Sequence, residues 1–210
     1  MKVPRTIEDA LDDDNPYKEQ WSAAIQKEYK NLLDRGTWIL DELPNGRKPI
    51  GCRWVFTVPS DNDGKVKKFK ARLVIQGFSQ RAGIDYDKTF APVARQESLR
   101  MLLAIAAERQ MSIRQVDIVS AYLNGKLREI FMKQPPGFTS SSKPNYVCRL
   151  KKALYGLKQA ERVWNETFNQ FMVVESNFQK TCILPLCVYQ VRRRKVDHYR
   201  PICRRSANHS

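Results

Sequence analysis

The feature that most constrains the fold of this 210-residue chain is a strand pattern in residues 66–76. Apolar and basic side chains alternate there, with Phe69, Ala71, Leu73 and Ile75 on one face and Lys68, Lys70 and Arg72 on the other. The turn sequence Asp61-Asn62-Asp63-Gly64 comes before this segment, and residues 50–58 form an apolar run before the turn. Together these signals predict an antiparallel hairpin that packs its apolar face on a core.

The basic face of this strand has two interpretations. Charges on the outer face of a hairpin are usually only solvated, whereas three successive cations also suit contacts with phosphate groups. The formal net charge is +15, of which residues 191–210 supply +6 through seven Lys or Arg and one Asp. Since +9 remains in the rest of the chain, we favour a polyanionic partner such as nucleic acid.

Helical and strand signals alternate along the rest of the chain, which predicts an α+β fold. Pro16 suits a first helical position, and Gly36 ends the helix that follows. We expect further helices over residues 98–110, mostly in the core, and 160–176. Short strands are expected at 37–40 and 113–118, with a helical turn at 120–127. Trp21, Ile25, Glu28 and Leu32 recur at helical spacing in the first helix. The expected buried stripe of the last helix is Val163, Trp164, Phe168, Phe171 and Met172.

The cysteines indicate a reducing, intracellular setting. There are five, scattered and without a CxxC pair. Cys187, His198, Cys203 and His209 match no standard zinc-finger spacing, so we expect no zinc site. Because the start of the chain is polar, we expect neither a secretory nor a membrane-spanning segment there.

A series of short motifs links the chain to a known family. In order, they are Trp54-Val55-Phe56, Lys70-Ala71-Arg72-Leu73-Val74, Gly77-Phe78, Gln80, Gly83-Ile84-Asp85-Tyr86, Thr89-Phe90-Ala91-Pro92-Val93, Val116-Asp117, Ala121-Tyr122-Leu123-Asn124-Gly125, Met132, Gln134-Pro135-Pro136-Gly137-Phe138, Leu154-Tyr155-Gly156-Leu157-Lys158-Gln159-Ala160 and Trp164. Each is weak alone, but the ordered set over about residues 20–180 resembles the copia-type reverse transcriptases of LTR retrotransposon Pol polyproteins.

The resemblance implies a right-hand polymerase fold with fingers and a partial palm, the thumb being absent. Residues 1–92 would form the N-terminal helix and fingers hairpins. Residues 93–180 would form the partial palm, with a fingers insertion at about 125–158, and residues 181–210 a divergent tail. The implied reaction is RNA-directed DNA synthesis by a nucleotidyltransferase. It requires two Mg²⁺ ions, dNTPs and an RNA or DNA template-primer. The intact element would also encode integrase and RNase H modules. Its proteins would be located in the cytoplasm, in a virus-like particle, and no membrane partner is expected.

The resemblance also assigns roles to individual residues. Asp117 matches the first metal-binding, catalytic aspartate, although an Asp before a turn is often only a cap. Tyr122 matches the ring under the dNTP sugar, a role compatible with core packing. The backbone amides near Ser120 and Ala121 would face the triphosphate.

Four further residues match the fingers side of the site. Gly156 matches the loop beside the nascent base pair, although it could be an ordinary turn glycine. Lys70 and Arg72 match the region that contacts the triphosphate, and the sequence does not decide between them. Lys158 is expected, like Lys68, to contact nucleic acid.

The sequence departs from the family in two places. Glu161 stands before Arg162 where the family usually has Pro, which relaxes the start of the last helix. The Tyr-Xaa-Asp-Asp element that carries the other two catalytic aspartates does not occur in the 210 residues, and Asp197 is no substitute.

A reading-frame shift would account for this absence. When residues 197–209 are back-translated and read one nucleotide later, the codons permit Ile-Ile-Ile-Ala-Leu-Tyr-Val-Asp-Asp-Leu-Leu-Ile. We therefore interpret the basic tail as translation of the wrong frame, with the shift between residues 184 and 194, rather than as a nucleic-acid-binding tail. We expect an inactive, poorly soluble protein with unpaired strand edges and exposed apolar surface. The alternatives are a non-catalytic nucleic-acid-binding fragment and a pseudogene product.

Overall fold

A computed structural model describes residues 3–59, 68–93, 95–176, 178–180, 188–189 and 202–204. The chain divides into two compact units. The first unit comprises Met1–Asp87 and Lys126–Ala160, and the second comprises Lys88–Gly125 and Glu161–Ser210. Helices and strands occur in both units, in agreement with the predicted α+β class.

The predicted hairpin strands form a two-stranded antiparallel sheet in the first unit. Strand β2 (Cys52–Thr57) pairs with β3 (Lys70–Ile75), and Trp54 lies opposite Leu73. Ala71, Leu73 and Ile75 are buried, as the alternation predicts. The turn at residues 61–64 lies outside the described residues.

The apolar face of this sheet packs on helix α2, and helix α1 packs against α2. Helix α1 (Ile7–Leu11), which the sequence did not predict, begins with a capping box between Thr6 and Asp9. Helix α2 (Lys18–Asp34) buries Trp21, Ile25 and Leu32, as expected. The ring of Trp21 meets Phe56 and Phe69 edge-on at centroid distances of 5.2 Å and 4.8 Å.

Helix α2 begins two residues later than Pro16 predicted. The side chains before it form local turns, since Asp12 accepts a hydrogen bond from the Asp14 amide and Asn15 from the Tyr17 amide. Such bonds compete with helical hydrogen bonding and delay the helix start. The helix ends as predicted, with Gly36 in the left-handed region at φ +59°.

A second, three-stranded sheet completes the first unit. Its strands are β1 (Trp38–Asp41), β5 (Lys126–Met132) and β6 (Val147–Lys152), in the antiparallel order β1-β6-β5. The sequence predicted β1 but neither β5 nor β6. Ile50 joins this sheet to the start of β2, because its amide donates to the Phe131 carbonyl at 2.8 Å.

In the second unit, the described residues form two α-helices and four short strands. They are α3 (Gln96–Glu108), β4 (Arg114–Val116), α4 (Ala160–Gln170, whose first residue belongs to the first unit), β7 (Gln179–Lys180), β8 (Val188–Tyr189) and β9 (Ile202–Arg204). The strand order is β4-β9-β8-β7, and β9 runs parallel to β4. A 3₁₀ turn at Ala121–Asn124 matches the predicted helical turn.

Three expectations about the second unit are corrected. Helix α3 is not mostly core, because Ala106 is its one fully buried residue and Met101 and Leu103 are 48% and 44% exposed. Phe171 is 50% exposed, because a π-helical turn (Phe171–Glu175) shifts it out of the stripe that a 3.6-residue period predicts. Strand β4 has a partner on one side, β9, so that edge is not left unpaired.

The expected apolar exposure is present in the second unit. Beyond α3, it is carried by Ile113, Val116, Val119 and Val174, which are 50%, 51%, 71% and 68% exposed. Across the described ranges, no helix combines the length and the apolar character needed to cross a membrane.

Candidate nucleic-acid and nucleotide interface

The basic face of β3 is open to solvent, as the alternation predicts. Lys68 is exposed just before the strand, while Lys70 and Arg72 are partly exposed on it. In the register of the hairpin, Lys70 lies opposite Thr57 and Arg72 opposite Val55. Cations spaced along one face of a strand present a row of donors to a phosphate backbone.

Arg72 differs from Lys70 in the contacts that hold it. Its guanidinium lies 5.7 Å from the centroid of the Tyr155 ring, within the range of a cation–π contact. Glu28 on α2 also interacts with it. Burial raises the pKa of Glu28, and the charge of Arg72 and a hydrogen bond with the Leu73 backbone partly offset this rise. Arg72 therefore has protein partners that restrain its orientation.

Gly156 is required by contacts within the chain itself. Its φ is +94°, and an added Cβ would lie 2.2 Å from the Ile75 carbonyl oxygen and 2.8 Å from the Val74 side chain. The neighbouring Tyr155 carbonyl accepts a hydrogen bond of 2.9 Å from the Ile75 amide. The close approach that the glycine permits is thus between its own loop and β3.

A buried glutamine pair holds the same loop from the other side. Gln80 Nε2 donates to Gln159 Oε1 at 3.0 Å, and Gln159 Nε2 donates to the Asp85 carbonyl at 3.0 Å. Gln80 Oε1 accepts from the Lys158 amide at 2.8 Å. Both glutamines are at least 90% buried, so these bonds satisfy groups that would otherwise be costly to bury.

Lys158 extends from this loop over an aromatic ring. Its Nζ lies 4.8 Å from the Tyr86 ring centroid and 3.3 Å from the Tyr86 hydroxyl oxygen. Lys158 as a whole is exposed. The loop therefore brings Lys158, Tyr155 and Gly156 beside the strand that carries Lys70 and Arg72.

The remaining predicted residues belong to the second unit. Asp117 follows β4 directly and is exposed, and Tyr122 lies half-buried in the 3₁₀ turn. Ser120 has a left-handed backbone with φ +53°. The turn that follows it is only four residues long, too short for the aligned peptide dipoles of a helix N-terminus.

The residues do not fit a two-metal site. Two Mg²⁺ ions require several oxygen ligands in close, near-octahedral geometry. In the part of the chain that the structure describes, no group of three or more His, Cys, Asp or Glu side chains could hold a metal ion. Asp117 alone supplies one carboxylate, so we derive no catalytic step through bound metal.

The sequence assigned no role to the glutamine pair or to Phe78, although all three stand within the family motifs. Gln80 and Gln159 are 79 positions apart, and no periodicity in the sequence relates them to each other. Phe78 is 81% exposed. Neither the residue type nor its spacing from other apolar residues indicates this exposure. Their presence in matched segments was the one available signal.

The surface of the first unit carries cations on strand β3 and on the loop that contains Gly156. Such a surface is typical of proteins that bind polyanions. Comparison with known proteins specifies the family. Residues 35–192 match the family described as "Reverse transcriptase (RNA-dependent DNA polymerase)". The chain belongs to this family, and its predicted copia-type membership is confirmed.

Its relatives include plant retrotransposon proteins. The chain is 43% identical over 189 residues to the "Retrovirus-related Pol polyprotein from transposon TNT 1-94" of Nicotiana tabacum. It is 43% identical over 172 residues to that from transposon RE1 and 44% over 163 residues to that from RE2, both of Arabidopsis thaliana. These alignments cover 90%, 81% and 77% of the chain but only 14%, 11% and 11% of the relatives. No solved structure matches the chain significantly.

Proposed function

We propose that the chain is the fingers and partial palm of a reverse transcriptase domain that has lost catalytic competence. Fingers would comprise residues 1–92 and 125–158, and the palm residues 93–124 and those after about 159. The separation into two units with boundaries near 87, 125 and 160 supports this assignment. In this arrangement Lys68, Lys70, Arg72, Gly156 and Lys158 belong to the fingers.

Asp117 and Tyr122 would then be the palm residues of the site. Asp117 would be the first metal-binding aspartate and Tyr122 the ring beneath the dNTP sugar. The position of Asp117 at the end of a strand, exposed to solvent, supports this role. Further carboxylates would be needed beside Asp117, because one aspartate cannot coordinate two Mg²⁺ ions.

The proposed cause of inactivity is the frame shift before Asp197. The family match ends at residue 192, ahead of the tail in which the shifted codons permit Tyr-Val-Asp-Asp. The exposed apolar side chains of α3 and of the segment around β4 support the loss of an element that would cover them. Residue 197 and most of the tail lie outside the described residues.

Primer extension tests the inactivity. The purified chain is incubated with an annealed RNA template and DNA primer, the four dNTPs and Mg²⁺, alongside its Asp117→Asn variant. We expect no extension above background from either protein. Extension by the native chain that Asp117→Asn abolishes would contradict the proposal.

A retained, non-catalytic function is supported by the outward basic face of β3. Binding of template or primer strands would rest on Lys68, Lys70 and Arg72. Replacing all three by Gln should lower affinity and reduce the slope of log K against log salt by about 2 for single strands. The matched control replaces the exposed cations Lys27, Lys30 and Lys151 by Gln, with the same change of charge. Equal losses from both triple variants would indicate only a general effect of net charge.

A further inference from the structure

The most exposed large apolar side chain in the described residues belongs to Phe78, at 81% exposure. It lies in a 3₁₀ turn, Gly77–Ser79, between β3 and the segment that ends at Tyr86. An aromatic ring this open to water contributes little to folding, since it buries little of its apolar surface. The ring therefore contributes to something other than the core.

The turn that carries Phe78 is held rigidly. The Ser79 amide and hydroxyl both donate to the Gln76 carbonyl, at 3.1 Å and 2.8 Å, and the Gln80 amide donates to the Gly77 carbonyl at 3.1 Å. Gly77 is buried against the neighbouring loop, because an added Cβ would lie 2.0 Å from the Gly156 carbonyl oxygen. A ring on such a turn loses little backbone freedom when it binds a partner.

Two cation–aromatic pairs adjoin this turn through its neighbouring residues. Through Gly156, the turn adjoins Tyr155, on whose ring Arg72 lies. Through Gln80, it adjoins Lys158, which lies over Tyr86. We call Arg72, Phe78, Tyr86, Tyr155 and Lys158 the aromatic–cation surface.

The buried acid of this region is already neutralised within the chain. Asp85 accepts a hydrogen bond from the Arg81 amide at 2.8 Å, and its carboxylate lies within 3.9 Å of the Arg47 and Arg81 side chains. The side chain of Asp85 is only 6% exposed. Its charge therefore offers little repulsion to an approaching anion.

We propose that Phe78 is a stacking platform for an unpaired base of a single-stranded nucleic acid, whose phosphates contact Arg72 and Lys158. Exposed rings interleaved with cations bind single strands in this way, because every base has a face that can stack. Bases in a duplex are already stacked, so the platform selects single strands. This inference rests on the proposed nucleic-acid binding and adds the residue and the strand type that it recognises.

The experiment uses the full chain and a thymidine homo-oligonucleotide of about 15 nucleotides, which is long enough for one binding site. All four native Trp residues are buried, with exposures of 0% to 8%, so a Phe78→Trp variant carries a single exposed Trp, which can be excited selectively over Tyr. We expect the oligonucleotide to quench the fluorescence of this variant. Phe78→Leu, which keeps an apolar side chain without the ring, should bind about 10-fold more weakly or worse.

Phe90 supplies the matched control, since it is 78% exposed and belongs to the second unit. Phe90→Trp should not be quenched, and Phe90→Leu should bind as the native chain does. Native binding without quenching at position 78 and without loss in Phe78→Leu would overturn the stacking platform and leave the proposed binding intact. An oligonucleotide that the native chain does not bind at all would overturn both.

Discussion

The side chain of Gln80 donates to that of Gln159 across 79 positions of sequence, in a site where both are at least 90% buried. The same Gln80 accepts from the Lys158 amide, so one side chain joins the turn after β3 to the loop that carries Gly156. A polar pair buried in this way contributes through orientation as well as stability, because each partner fixes the other.

Removing Gln80 should therefore destabilise the first unit. Gln80→Ala leaves the Lys158 amide and Gln159 Oε1 without their partners, and we expect a loss of about 2–3 kcal/mol in the free energy of unfolding. The double variant with Gln159→Ala should show a coupling energy of about 1 kcal/mol. Urea denaturation measures both. Gln26→Ala, at an exposed position on α2, is the control and should cost under about 0.5 kcal/mol. Additive losses would mean that the two glutamines act independently.

Gly156 provides a second test of how the loop is held. Gly156→Ala combines a positive φ with a contact of 2.2 Å to the Ile75 carbonyl oxygen, so we expect a loss of about 2–4 kcal/mol. Gly46→Ala separates the two causes, because Gly46 has φ +77° with no atom within 4 Å of the added Cβ. It should cost about 1 kcal/mol. Equal costs in thermal or urea unfolding would show that the packing against β3 adds nothing.

The ionisation of Glu28 predicts a pH dependence of stability. Burial raises the pKa of Glu28 above its ordinary value of 4.5, so its contribution is fully present below pH 4.5 and is lost as pH rises through the folded value. Glu28→Gln keeps the neutral form and should be at least as stable as the native chain at pH 7, with this advantage disappearing near pH 4.

Urea midpoints at the two pH values measure this difference. The exposed Glu129→Gln serves as the control and should show no such dependence. If Glu28→Gln were less stable than the native chain at pH 7 but not at pH 4, the attraction between Glu28 and Arg72 would outweigh the cost of burying the Glu28 charge.

Two described thiols should be inert in the folded chain. Burial raises the pKa of Cys52 and of Cys148 from 9.0 to about 12. At pH 8 the thiolate fraction is then about 1000-fold lower than for an unperturbed thiol, and alkylation should be slowed accordingly. The stability that these neutral thiols contribute is present below pH 9 and is lost as pH rises from 9 to about 12. Iodoacetamide labelling followed by peptide mass spectrometry measures each site, with the urea-unfolded chain as control. Equal labelling of folded and unfolded protein would refute the burial.

The sequence predicted best what depends on local periodicity. The burial of Ala71, Leu73 and Ile75 follows from a two-residue alternation, and that of Trp21, Ile25 and Leu32 from helical spacing. Local signals failed where a partner decides burial. Helix α3 has a core-like composition but is largely exposed, because an apolar face is buried only when another element covers it.

The candidate site was predictable only in part. Local motifs identified some of its residues, but contacts between distant parts of the chain were not predictable. The motifs identified Lys70, Arg72, Gly156 and Lys158, and the structure brings β3 and the Gly156 loop together through the Ile75–Tyr155 hydrogen bond. The bonds of Gln80 with Gln159 and Lys158 join positions nearly 80 residues apart, and no periodicity reports such a distance. The exposure of Phe78 depends on the orientation of a three-residue turn, which the sequence pattern does not specify.

The nucleotide sequence of the transcript, from the codon of residue 184 to beyond the stop, tests most directly whether this is a reverse transcriptase domain with a displaced catalytic hairpin. We predict that the frame read one nucleotide later encodes Tyr-Val-Asp-Asp opposite residues 202–205, flanked by apolar codons and open beyond them. A closed or unrelated offset frame would contradict the frame shift. The basic tail would then have to be tested as a genuine binding element.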